Sequence, residues 1–293
     1  MELAINLNNK TNSLWHRHGF RQLLLLTPAI IALSLLFVYP ISKILLRSLF
    51  SPDFTLEHYI YFFKNPLYIK VMWITLQISF ISTFTALLVG YPLAYVLQRA
   101  SSGIRNFFLM AIVLSFMISL LVRNYSWIIV LQRNGVINMF LRYFGIIDQP
   151  LILLHNKFST IIGMAHIFIP YMVFPIYSVM MGIDLNLERA AQNLGASRWQ
   201  TFWRVSFPLS LPGIGAGALL VFIMALGFFI TPALLGGRRE LMLSNLIEIQ
   251  IVDLLNWPFA SAMSVVLLIV TLIIFSVYNR YLGVERLWGG VKL

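Results

Sequence analysis

The chain has 293 residues, of which 59% are hydrophobic and 11% charged, and a mean hydropathy of +0.84. A soluble domain carries about 25% charged residues, so this composition excludes one and places the chain in a bilayer. The absence of cysteine rules out disulfides and thiolate metal sites, the five histidines form no ligand cluster with carboxylates, and the +11 charge is scattered singly through loops, the pattern of membrane-flanking Lys and Arg rather than of a nucleic-acid-binding stripe.

Residues 1–20 are polar, with His16, Arg17 and His18, and are read as an N-terminal tail. They resemble the start of a signal peptide, but no small-residue cleavage pattern follows Pro40, so the first apolar run is read as a retained span. A helix needs about 20 apolar residues to cross about 30 Å of hydrocarbon. Six runs approach that: about Leu23 to Ile41, Val71 to Leu97, Asn106 to Val122, Thr160 to Met181, Gly215 to Leu235 and Ala260 to Tyr281. No alternating ten-residue pattern of the barrel type is present, so helices are the structure that satisfies the backbone in lipid. The expected fold is all-α and polytopic, with a membrane domain over 21–293.

Six spans put both termini on one side. With an inner N-terminus, the inner segments hold 11 of the 21 basic residues, a slight excess in density over the longer outer loops. The loop at 42–70 carries Pro52, Asp53, Glu57 and Pro66. The loop at 123–159 contains an amphipathic stretch, Val136 to Leu141, ending at Gly145 and Asp148, with Trp127 and Tyr143 suited to the headgroup level. The run Leu246 to Ile251 reads as a short helix on or in the outer interface. Pro170 and Pro175 are expected to interrupt the fourth span, and Gly227 precedes Pro232 in the fifth. Both a moving core and ordinary membrane-helix kinking fit those prolines.

The loop at 184–212 is the most informative segment. Asp184 or Asn186 can cap a helix start. Leu187, Ala190, Ala191 and Leu194 fall at i, i+3, i+4 and i+7, one apolar stripe, with Glu188, Arg189, Gln192 and Asn193 facing away. Gly195 sits where a left-handed C-cap is wanted, and Ala196 follows. Ser197 can cap a second helix in which Trp199, Phe202 and Trp203 share a face, and Pro208 is expected to help end it. A flat helix on lipid is one use of such a segment. The small side chains of Ala190 and Ala191 fit close protein contact better.

Glu188 to Pro208 resembles the cytoplasmic EAA loop of ABC-importer permeases. Ala190, Ala191, Gly195, Val205, Phe207 and Pro208 fill that pattern, and Arg189 stands where the motif's glutamate is usual. Three more segments resemble spermidine/putrescine-type permeases: Leu121 to Asn138, Thr231 to Gly237 and Trp257 to Ala262. The resemblance implies an ABC type I importer permease of MetI-like fold in a bacterial inner membrane, with both termini cytoplasmic. It implies a heterodimer with a second homologous permease, two ATPase subunits, and a periplasmic or extracellular substrate-binding protein. The ATPase-coupling residues are then Leu187, Glu188, Arg189, Ala190, Ala191, Leu194, Gly195, Ala196 and Ser197. The chain has no G-x-x-x-x-G-K-[ST] signature, so ATP and Mg belong to the ATPase and the permease itself is non-catalytic, with no cofactor.

Polar groups inside spans are the candidates for a solute pathway: Gln77, Asn124, His166, Tyr171 and Thr231, with the aromatic faces of Phe228 and Phe229. A polyamine, an opine or an amino-acid-like solute is open on these residues. The alternative of an ion-coupled secondary carrier or channel lacks convincing paired repeats and intramembrane ionisable groups. A membrane enzyme lacks a nucleophile or paired-acid constellation.

Overall fold

The computed structural model describes residues 26–50 and 53–282. The tail at 1–20, the first residues of the first apolar run, Pro52 and the basic residues Arg286 and Lys292 lie outside them. Among the described residues the regular structure is helical, apart from one isolated bridge between Phe50 and Phe54.

Helix α1 (Leu26–Leu49) buries almost nothing within the chain and leans on the last long helix with its second half. An apolar helix so uncovered by its own chain is left for lipid or a neighbouring subunit to cover. Helix α2 (Glu57–Lys64) is short and leads into α3 (Pro66–Arg99). Asn65 starts α3 by accepting from the Leu67 amide at 3.0 Å, with Pro66 in the first turn, where its missing N–H costs nothing. At 34 residues α3 is about 51 Å long, well beyond a 30 Å hydrocarbon layer. It therefore extends past the apolar zone, and it is longer at both ends than the Val71 to Leu97 expected.

Helix α7 (Lys157–Met181) is the most enclosed, with 61% of its most apolar window buried. Asn156 and Ser159 form a reciprocal cap at its start. It packs against α3 on one side and on the other against α9 (Arg198–Leu226). Met164, Phe168, Met172, Val173 and Ile176 fill that three-helix core. Small residues bring α7 and α9 together. A Cβ at Gly213 would lie 2.9 Å from Ile176 Cα and 3.0 Å from Pro175 O, and one at Gly217 would lie 3.1 Å from Met172 O. In lipid, where apolar surface gains little by hiding, such close backbone approach is a main source of helix association.

Several expectations are corrected. The third span does not run straight from Asn106 to Val122. Helix α4 (Ser102–Met117) ends at Ile118–Ser119, which are extended, and the chain turns by 98° into α5 (Leu120–Leu131) and α6 (Val136–Tyr143). The apolar run continues through the break, so hydropathy does not mark it. Counted strictly, five helices are long and apolar enough to cross a membrane among the described residues, and six if this bent pair is one span.

The fifth span does not reach Leu235 as one helix. It stops at Leu226, and Ile230–Leu235 forms a separate helix, α10. Pro232 then falls in the first turn of α10, where no backbone N–H is required. Two carbonyls at the break find partners on α11 (Leu243–Val252), each side-chain bond at 2.9 Å. Ser244 Oγ donates to Phe228 O, which Pro232 leaves without a backbone donor, and Asn245 Nδ2 donates to Phe229 O, which also accepts from the Ala233 amide. Helix α11 is the short helix expected over Leu246 to Ile251, and α12 (Trp257–Leu282) closes the bundle.

Pro170 and Pro175 do not interrupt α7, which is continuous. Nor does Pro208 end the helix begun at Arg198. The turn Phe202–Ser206 widens to π geometry, with the Phe207 amide bonding Phe202 O, and the helix runs on to Leu226. A widened turn removes the i−4 bond that the proline could not make. Helix α1 uses the same device, a π turn at Ser34–Val38 ahead of Pro40.

Candidate functional site: the knob between the fourth and fifth spans

Helix α8 (Asn186–Asn193) stands between α7 and α9. Asp184 Oδ1 accepts from the Asn186 amide at 2.9 Å at its start. Its other end closes with two bonds: the Gly195 amide to Gln192 O at 2.9 Å and the Ala196 amide to Ala191 O at 3.1 Å. That is a Schellman closure, and it places Gly195 at φ +90°, a conformation that strains any side chain. Two residues later Ser197 and Gln200 form a reciprocal cap on α9. The turn between the helices is thus fixed by hydrogen bonds at both sides.

Leu187 is 48% exposed and Leu194, just past the helix, 90% exposed. Ala190 is exposed and Ala191 partly covered. The apolar stripe therefore has nothing of this chain over most of it. Trp199 is 69% exposed and makes ring contacts with Phe202 and Trp203 at 6.3 and 5.6 Å, the aromatic face expected from their spacing. Phe202 in turn meets Tyr91 and Tyr95 of α3 at 6.1 and 5.5 Å, which seats the start of α9 on the end of α3. Arg189 is exposed and donates to Asn186 Oδ1 at 3.3 Å.

Glu188 does not face away with Arg189, Gln192 and Asn193. It turns inward, pairs with Arg99 at the end of α3, and accepts from Ser206 Oγ at 2.6 Å. Spacing within one helix shows which residues share a face. It does not show what a neighbouring helix offers that face. The long α3, which ends at Arg99, supplies the missing partner.

The expected pathway residues do not form one site. Gln77 accepts from Lys157 Nζ at 2.9 Å, toward the end of the bundle away from the knob. His166 Nδ1 accepts from Trp127 Nε1 at 3.2 Å. Tyr171 meets Phe116 and Phe168 at 5.1 and 6.3 Å, and Phe168 meets Phe228 at 5.1 Å, so Tyr171 and Phe228 share an aromatic cluster. Phe229 lies in the break of the fifth span, 44% exposed. Thr231 is buried against the position of Gly163, and Asn124 is buried with Nδ2 donating to Leu120 O at 2.9 Å. The Oδ1 of Asn124 and Oγ1 of Thr231 are enclosed without a protein partner, as are Nε and Nη1 of Arg123. Arg123 is not among the expected pathway residues; its signals in the sequence are a lone arginine beside Asn124 in an apolar run and its place within the Leu121 to Asn138 resemblance.

The chain matches, over residues 18–283, the family described as "Binding-protein-dependent transport system inner membrane component". It is 38% identical over 227 residues to the spermidine/putrescine transport system permease protein PotB of Escherichia coli K12, covering 78% of this chain and 82% of that protein. It is 27% identical over 289 residues to the inner membrane ABC transporter permease protein YdcU of the same strain, 91% of each. Its fold is similar to a chain of a bacterial alginate ABC transporter crystallised with an alginate-bound periplasmic protein. There the TM-score is 0.75 at 20% identity, over 90% of this chain and 94% of that one. A chain from the inward-facing MetNI methionine transporter gives 0.56 at 18% identity, over 72% and 93%. The family match spans nine-tenths of the sequence and sets aside the ion-coupled carrier: the chain belongs to the inner-membrane permeases of binding-protein-dependent, ATP-driven importers.

Proposed function

We propose that the chain forms one half of a heterodimeric pore, and that the knob at 184–208 docks on a separate ATPase subunit and carries its stroke to the spans. The carrying observation is the uncovered apolar tip, Leu187 and Leu194, on a turn fixed by the Schellman closure and the Ser197 cap. An apolar surface held rigid and left open needs a partner. In this reading two ATPase subunits use ATP and Mg, a soluble binding protein delivers the solute from outside, and both termini are cytoplasmic.

The solute is small and polar. Kinship with PotB favours a polyamine, with opine-like and amino-acid-like solutes as the neighbouring classes. None of the five long helices contains an Asp or Glu, so for a cation the second permease supplies acids and this chain supplies aromatic faces such as Phe228 and Phe229. Gln77, Asn124, His166, Tyr171 and Thr231 are the polar groups assigned to the path.

The docking is tested by isolating the assembled importer. Ala191→Glu and Gly195→Pro are expected to leave the chain in the membrane while uptake falls out of step with ATP hydrolysis. An ATPase subunit that fails to co-purify with the unaltered chain, or normal uptake by both variants, refutes it.

A further inference from the structure

An eight-residue helix on a loop is marginal by itself, since isolated helices shorter than about 12–15 residues barely hold in water. Swinging freely, such a knob would move without moving the spans. What ties it down is a connected set of polar bonds. Glu188 Oε1 takes both the Arg99 guanidinium and the Ser206 hydroxyl. Arg99 is itself fixed: Nη1 donates to Tyr95 O at 3.2 Å and to Gln98 Oε1 at 2.8 Å, and its guanidinium lies 3.5 Å over the Tyr95 ring. Gln98 Nε2 in turn donates to Met180 O at 2.5 Å, in the last turn of α7. Through these side chains the knob meets the ends of α3, α7 and α9, the three helices of the core. The side chains of Arg99 and Glu188 are 25% and 13% exposed, so salt screens the pair less than a surface pair. It is the only ion pair among the described residues.

We propose that Glu188 is the joint that makes the knob and the three core helices one body, so that a push on the knob becomes a tilt of the spans. Glu188 and Arg99 are positioning residues: they fix the lever and touch neither solute nor nucleotide. The proposal rests on the reading that the knob docks on an ATPase.

The chain has no cysteine, so one introduced thiol in it is a clean reporter. Ser178→Cys, in the cleft bordered by Phe116, Tyr171, Phe174 and Leu220, is labelled with a maleimide in the assembled importer, with and without MgATP. With the joint intact, MgATP is expected to change the labelling rate. In Glu188→Gln and in Arg99→Gln the ATPase still co-purifies and hydrolyses ATP, but that change shrinks by about fivefold or more, the low end of ordinary coupling between sites. The swap Arg99→Glu with Glu188→Arg restores the ion pair but not the Arg99 bonds to Tyr95 O and Gln98 Oε1, and is expected to recover part of the response, which a loss of folding would not. If the single variants fail to assemble, Glu188→Asp keeps the charge one carbon shorter and is expected to assemble with a partial loss.

An unchanged MgATP response in Glu188→Gln, or in an assembled Glu188→Asp, overturns the joint while leaving the docking intact. Failure of the swap to recover any response also overturns it. An ATPase absent from the unaltered complex, or no MgATP response with the ATPase bound and Glu188 in place, sinks the docking reading instead.

Discussion

Gly213 offers the sharpest test of what holds the core together. Replacing a helical glycine by alanine ordinarily stabilises by about 0.5–1 kcal/mol, because the unfolded chain loses freedom. Gly103 has nothing within 4 Å of an added Cβ, so Gly103→Ala should show that gain alone. At Gly217 the added carbon meets Met172 Sδ at 3.0 Å and Met172 O at 3.1 Å. The sulfur can swing aside and the carbonyl cannot. At Gly213 the nearest atoms, Ile176 Cα at 2.9 Å and Pro175 O at 3.0 Å, are both backbone, so α7 and α9 must part. Overpacking of this kind costs about 1–3 kcal/mol. The net expectation is a gain at Gly103, a loss near zero to about 1 kcal/mol at Gly217 and a loss of about 1–2 kcal/mol at Gly213. Unfolding of the detergent-solubilised protein, followed by tryptophan fluorescence from its seven tryptophans, ranks the three. Gly213→Ala as stable as Gly103→Ala would show that the backbones are not in the contact described.

Thr75→Val removes the hydroxyl that accepts from the buried Leu243 amide at 2.8 Å; leaving that amide unsatisfied should cost about 1–3 kcal/mol and speed hydrogen exchange at Leu243. Asn156→Ala strips the cap from α7 and should cost about 1 kcal/mol in denaturant titration, with exchange rising first at the amides of its opening turn; unaltered exchange there would refute the cap. Trp127→Phe loses the bond to His166 and is expected to cost about 0.6 kcal/mol, the usual scale for a side-chain bond between membrane helices; a double-mutant cycle with His166→Ala checks that the cost disappears once the acceptor is gone.

The knob was legible in sequence because its signals are local. A glycine two residues past a helix, a serine two residues further, and alanines at adjacent stripe positions each act within a few residues of themselves, and the left-handed Gly195 and the Ser197 cap lie where they were expected. The spans were legible for the same reason: hydropathy is a property of the window itself. The π turn before Pro208 was not, since a proline announces only that one bond is missing, and the chain can end the helix or widen it.

Composition and local pattern alone determined that this chain lives in a membrane as helices and presents a capped, apolar-tipped knob between two of them. The tertiary structure alone decided that the third span bends at Ile118–Ser119, that the fifth breaks at Gly227–Phe229 where Ser244 and Asn245 can bond the carbonyls of Phe228 and Phe229, and that Glu188 turns inward to Arg99. Each of those depends on a partner distant in sequence, and such partners meet only when helices pack.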